Sequence, residues 1–209
     1  SGDKQHAFTS HAKSGAGAES GIGVAGAFAL TISTTDVRAT IAAGDPTGGS
    51  VTLADGTDAN SDAGELKLTA FEDAKNTASA EPTVDAGKFG LGASVAFAVP
   101  THQVIAEVDD NGVINGAKDV TIQAKSNLDV DSIAKAGVKS GLALSPVVAV
   151  TLVETNTLAR LGAGNSTLTG NLSVTSEHTG NAESHAAGSV ESSDAAIGLS
   201  IAVTRTEED

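Results

Sequence analysis

The stretch GIGVAGAFALTISTTDVRATI, residues 21–41, sets large apolar side chains on alternate positions and mostly Gly, Ala and Thr on the positions between. Side chains alternate across a β-strand, so a period of two describes a sheet with one bulky face and one nearly bare face. Ile22, Val24, Phe28, Leu30 and Ile32 make the bulky set, and Ala25, Ala27 and Ala29 belong to the bare one. Helical spacing of apolar residues is not sustained anywhere in the 209-residue chain.

The pattern returns along the sequence. VAGAFALTISTTDVRATI (24–41), LGASVAFAVPTHQVIAEV (91–108) and LSPVVAVTLVETNTLARL (144–161) superpose without a gap, and IGLSIAVTRTEED (197–209) opens a fourth copy. Leu30, Phe97, Val150 and Val203 are then equivalent, at spacings of 97−30=67, 150−97=53 and 203−150=53 residues. A second alternating block follows in ELKLTAF (65–71), DVTIQAK (119–125) and NLSVTSE (171–177), and a weaker third in NTASAEPT, DSIAKAGV and AESHAAGS, which HAFTSHAKSGAG also matches. These blocks divide the chain into the tail of a preceding repeat (1–20), repeat 1 (21–87, with an insertion near 44–62), repeat 2 (88–140), repeat 3 (141–193) and the start of repeat 4 (194–209). They predict a segment of a longer array.

Short strands, copies at a fixed period and corners such as GDPTGG, ADGTD, DDNGVINGA and GAGNST predict an all-β repetitive β-solenoid. Its expected form is a right-handed parallel β-helix of about 53-residue units, each making two coils; stacked antiparallel β modules are the alternative. After STTD, PTHQ and VETN the apolar phase moves by one residue, which predicts a corner or bulge there, with Pro100 marking the break. The bulky face is expected to form the core. The bare face (Ala25, Ala27, Ala29, Ser94, Ala96 and Ala98) is expected to be an assembly surface, against a second layer of the same chain or a neighbouring molecule.

Composition narrows the function classes. A formal net charge of −14 argues against a phosphate-backbone partner, which needs clustered Lys and Arg and usually stacking aromatics; the chain has only five Phe and no Trp or Tyr. With no Cys there are no disulfides and no Cys-based zinc sites. Gly, Ser, Thr and Asp interrupt every apolar run well before membrane-spanning length, and no signal peptide is visible at the start.

Candidate chemistry is sparse. His6, His11, His102, His178 and His185 show no metal-ligand spacing and are expected on the surface, His11 and His185 at equivalent repeat positions. Acidic groups at Asp55/Asp58, at Asp109/Asp110 beside Asn111, and at Asp129/Asp131 offer hard oxygen ligands of the kind calcium takes, although Asp and Asn also favour turns for their own backbone hydrogen bonds. Asp129 and Asp131 should project to one side as a carboxylate pair, but no GxSxG, P-loop or calcium-repeat motif accompanies them. The expectation is a non-enzyme with no cofactor, calcium at Asp109, Asp110, Asp129 and Asp131 being the one alternative.

GLGASVAFAVPTHQVIAEV, GAKDVTIQAKS and GNSTLTGNLSVTSE resemble repeats of very large bacterial surface proteins, the leukotoxin-type filamentous adhesins and haemagglutinin-like proteins. The resemblance implies a secreted or cell-surface rod, either a stalk carrying a host-binding tip or a subunit that packs into an extracellular fibre. Partners would be neighbouring repeats, other copies or an unidentified host ligand, and no catalytic residue is carried over. A calcium-dependent carbohydrate- or ice-binding surface is the third reading.

Overall fold

Alternation of side chains along the sequence becomes alternation of burial along long parallel strands. The computed structural model describes residues 5–42, 49–53 and 64–209. β1 (His6–Ala18), β4 (Glu65–Ala86), the first half of β7 (Asp119–Leu161) and the first half of β9 (Leu172–Glu208) lie side by side as one wall. β2 (Ile22–Ile41), β5 (Phe89–Val108) and the second halves of β7 and β9 form a second wall. β7 and β9 run through the bend that joins the walls, so the two are one nearly closed sheet. Short strands β3 (Ser50–Thr52), β6 (Val113–Ala117) and β8 (Thr167–Leu168) make a separate small sheet.

Every strand pair among the described residues is parallel. This excludes the antiparallel modules. The architecture is all-β and barrel-like, compatible with a β-helix or solenoid. Leu30 pairs with Phe97, Phe97 with Val150 and Val150 with Val203, so the positions matched in sequence are ladder neighbours. One circuit of both walls therefore consumes the whole distance from Phe97 to Val150, where two coils were expected. The insertion near 44–62 falls largely outside the described residues.

The expected faces are reversed. Ile22, Phe28 and Ile32 are 69, 59 and 66 % exposed, whereas Ala29, Ser94, Ala96 and Ala98 are at most 1 % exposed and Ala25 and Ala27 are also buried. The bare face is the core, packed against the opposite wall of the same chain: Ala27, Ala29, Ala96, Ala98 and Ala149 meet Ala74, Ala78, Ala80, Val130 and Ala134. These residues are not free to contact a neighbouring molecule. The reason lies in the bend. Only Gly87 and Lys88 separate β4 from β5, which holds the walls close. A Cβ on Gly90 or Gly92 would come within 2.7 Å of Val138, so even alanine is too large there.

Hydroxyls use the same proximity. Ser94 Oγ donates to the Ala80 carbonyl at 2.7 Å, Thr31 Oγ1 to Thr77 at 2.8 Å and Ser132 Oγ to Val150 at 2.8 Å. One serine side chain thus spans from wall to wall, which the separation of about 10 Å usual between packed sheets would not permit. The carbonyls are already engaged in ladders and accept through their second lone pair.

No bulge occurs after STTD or PTHQ. β2 and β5 pair without a register shift from Ile22/Phe89 to Ile41/Val108, and the inward parity never changes. What changes is the space to be filled. Where the small sheet opens the cross-section, Val104, Val108, Ile114, Val120 and Ile122 form an ordinary large-residue core with Val37 and Ile41 packed on it. Pro100 sits inside β5 opposite Ser33, while the ladder to β7 resumes only at Thr101. That local gap accommodates its missing N–H.

Candidate interaction face

With small residues turned inward, the large apolar residues of the second wall face out in rows across its strands. Val24, Leu91, Leu144 and Ile197 form one row; Phe28, Val95, Val148 and Ile201 another; Leu30, Phe97, Val150 and Val203 a third. Gly26, Ala93 and Pro146 leave a shallow channel between the first two, closed on the fourth strand by Leu199. The Phe28 and Phe97 rings lie 6.2 Å apart at 50°, a tilted aromatic contact along the outside. Further along, the same wall becomes polar, with Asp36, Arg38, Gln103, Glu107 and Arg160 facing out.

The first wall has the opposite character. Its outward positions carry Lys13 and Lys135 beside Glu81, Lys75 beside Asp131, and Lys125 beside Glu177, at 3.1 to 3.8 Å. Exposed pairs of this kind add little stability but keep the wall wetted. The chain thus separates a charged wall from an apolar one.

A polar seam crosses the interior between the alanine core and the larger-residue core. His102 Nδ1 donates to Glu72 Oε1 at 2.7 Å, and Thr35 donates to the same oxygen. Asn76 Nδ2 lies 3.4 Å from His102 Nε2, and Ser33 Oγ donates to Asn76 Oδ1 at 2.5 Å. This network fits the histidine tautomer with its hydrogen on Nδ1. Glu, His and Ser are the residue types of a nucleophilic triad. Here Glu72 and His102 are each 2 % exposed and Ser33 is 4 % exposed, so no substrate reaches them. His102 is therefore a core residue and not the surface histidine expected.

Ladder pairing extends the seam: Glu72 to Ser126 to His178 on the first wall, Thr35 to His102 to Thr155 to Glu208 on the second. His178 Nε2 stands 3.8 Å from Glu208. The Glu72/His102 pairing thus recurs with the walls exchanged. Glu72 Oε2, Ser126 Oγ and His178 Nδ1 are buried and have no hydrogen-bond partner among the described residues. Parity could have revealed the seam, because Glu72 alternates in phase with Ala70 and Ala74, and His102 with Ala98 and Val104.

The carboxylates proposed for calcium lie on different elements. Asp109 and Asp110 follow β5 at a corner where Asn111 adopts φ 65°. There Asp110 Oδ1 accepts from the Ala163 N–H at 3.0 Å and from Arg160 Nη1 at 3.3 Å. The backbone hydrogen bond first, and the guanidinium second, hold the Asp110 carboxyl below its ordinary range. Arg160 also contacts Glu107 at 3.3 Å and Asp109 at 4.0 Å. Asp129 and Asp131 share the outer side of β7, as alternation predicts, with Asp131 paired to Lys75. Among the described residues no three His, Asp or Glu side chains gather as a metal set. Asp55 and Asp58 lie outside the described residues. His11 and His185 do occupy one ladder column, through Ser79 and Ile133.

No family model, curated protein or solved structure matches the chain. Among the described residues no helix is long and apolar enough to cross a membrane.

Proposed function

We propose that the chain is a non-catalytic structural segment, a rigid stalk wound as a right-handed parallel β-helix with one 53-residue repeat per coil, in a secreted or cell-surface bacterial adhesin. The observation that carries this reading is the coincidence of sequence repeat and ladder: Leu30, Phe97, Val150 and Val203 are both equivalent in sequence and stacked in space. Repeats that cannot bury a core alone gain one by stacking, and the result is a rod whose length scales with copy number. Parallel crossover connections favour the right hand. Burial of the Glu72, His102 and Ser33 constellation supports a structural role over a catalytic one. The adhesin context rests on the sequence resemblance alone.

Electron microscopy of purified tandem copies tests the reading. Each added unit should lengthen the rod by about 4.8 Å, the spacing of neighbouring strands. Particles that widen without lengthening as copies are added would overturn it. A fibre-forming subunit is the second reading, favoured by the apolar outer wall.

A further inference from the structure

The apolar half of the second wall is large, charge-free and, among the described residues, without a cover. From Ile22 to Ile32 and across the ladder to Ile197–Val203, the outward positions carry no charged group until Arg205, which is paired to Glu207 at 3.0 Å. Eleven residues at about 3.3 Å each and four strands about 4.8 Å apart give a face of roughly 700 Å². Monomers rarely expose apolar patches above about 600 Å². In a chain of which 18 % of residues are charged, six consecutive outward positions per strand have almost none.

We propose that this face pairs with the same face of a second copy, the two rods running in the same direction about a two-fold axis parallel to the stacking direction. Two such faces bury roughly 1,400 Å², within the range of about 1,200–2,000 Å² for stable interfaces. The rows are self-complementary under that axis. Counted from the bend, the six rows reverse order across the interface, so the third row meets the fourth. The Gly26, Ala93 and Pro146 channel of one copy then receives the Phe28, Val95 and Val148 ridge of the other, while Leu199 ends the channel and meets Ile201 on the fourth strand. The same operation brings exposed Lys88 at the bend towards exposed Asp36 and Glu154 beyond the sixth row. The rim carries charges of both signs, Glu19 and Asp194 lying at the same bend as Lys88, and no charge is buried in the centre. A second copy fits better than an anionic lipid surface, because the net charge is −14 and, among the described residues, no Lys or Arg cluster borders the face.

The pairing deepens the structural-segment reading and fails separately from it, because rod length per repeat does not depend on whether rods pair. Sedimentation velocity of the 209-residue chain across a concentration series is the test, since interfaces of this size reach at least micromolar affinity, about 1–10 µM. The wild type should sediment as a dimer at tens of micromolar, and Phe97→Lys should weaken dimerisation by at least about 100-fold by burying an unpaired charge. Leu30→Lys on the edge strand should do the same, with the circular dichroism of both variants unchanged; Gln123→Lys on the charged wall should leave the dimer intact. Mixing Ala93→Cys with Val95→Cys chains should give a mixed disulfide, as channel meets ridge. A wild type that stays monomeric, or a dimer indifferent to Phe97→Lys and Leu30→Lys, overturns the proposal. So does a monomer that floats with phosphatidylcholine vesicles, which would assign the face to lipid.

Discussion

Replacing Ala96 by Leu and Phe28 by Ala should have effects opposite in rank to those an ordinary core gives. Ala96 is fully buried, flanked by Ala29 and Ala149 on its ladder neighbours and packed in the cluster that holds Ala78 and Ala80 of the opposite wall. A leucine adds three carbons worth about 2.4 kcal/mol of transfer energy if room existed. There is none, because the bend fixes the wall spacing and Ser94 already touches the opposite main chain. Overpacking that also pries the walls apart should therefore cost about 3 kcal/mol or more net, at the upper end for such insertions. Phe28 is 59 % exposed, so truncation forfeits under half of a side chain worth about 1.5–3 kcal/mol, plus part of the ring contact with Phe97. The expected loss is about 1–2 kcal/mol, against about 3–5 for a phenylalanine in a true core. Urea titrations read by intrinsic circular dichroism, at concentrations low enough to keep the chain monomeric, give both values. A Phe28→Ala loss above 3 kcal/mol together with a neutral Ala96→Leu would refute the argument.

Other outcomes follow from the seam and the corners. Glu72→Ala leaves the His102 and Thr35 donors buried without their acceptor and should cost about 1–3 kcal/mol, whereas Glu72→Leu with His102→Leu should cost less, which chemical denaturation of both variants checks. Ser126→Ala removes a buried hydroxyl that has no partner among the described residues and should leave the urea midpoint unchanged or raised; Ser132→Ala breaks the bond to Val150 and should lower stability by about 1 kcal/mol. Because the folded Asp110 carboxyl titrates below its unfolded value, its contribution is present above about pH 4 and lost as pH falls through the folded value. Asp110→Asn should therefore flatten the acid limb of a stability–pH profile and leave its neutral slope unchanged.

The parts of this molecule legible in sequence are those set by backbone periodicity. Matching Leu30 to Phe97 and Glu65 to Asp119 required only the alternation of side chains, and both are ladder pairs. Corners were legible because Asn111 and Gly116, the latter at φ 73°, take a conformation few residues accept. Which face was buried was not legible from residue size. Size predicts the interior only when the interior has room, and the two-residue Gly87–Lys88 bend removes it. The apparent phase shift near Thr34 has the same origin: parity is constant, while the cavity widens and Val37 and Ile41 replace alanines on the inward side. Glu72 and His102 were hidden because they are far apart in sequence and their type suggests a surface. Only their parity with neighbouring alanines marks them as interior.

The chain contains no cysteine, so single cysteines can be placed from 22 to 32 in a clean background. Thiol labelling of each variant in dilute solution tests the central claim directly. The account predicts fast labelling at 22, 24, 28, 30 and 32 and strong protection at 25, 27, 29 and 31. Protection of the even positions with free labelling of the odd ones would restore the bulky face to the core and contradict the two-wall fold.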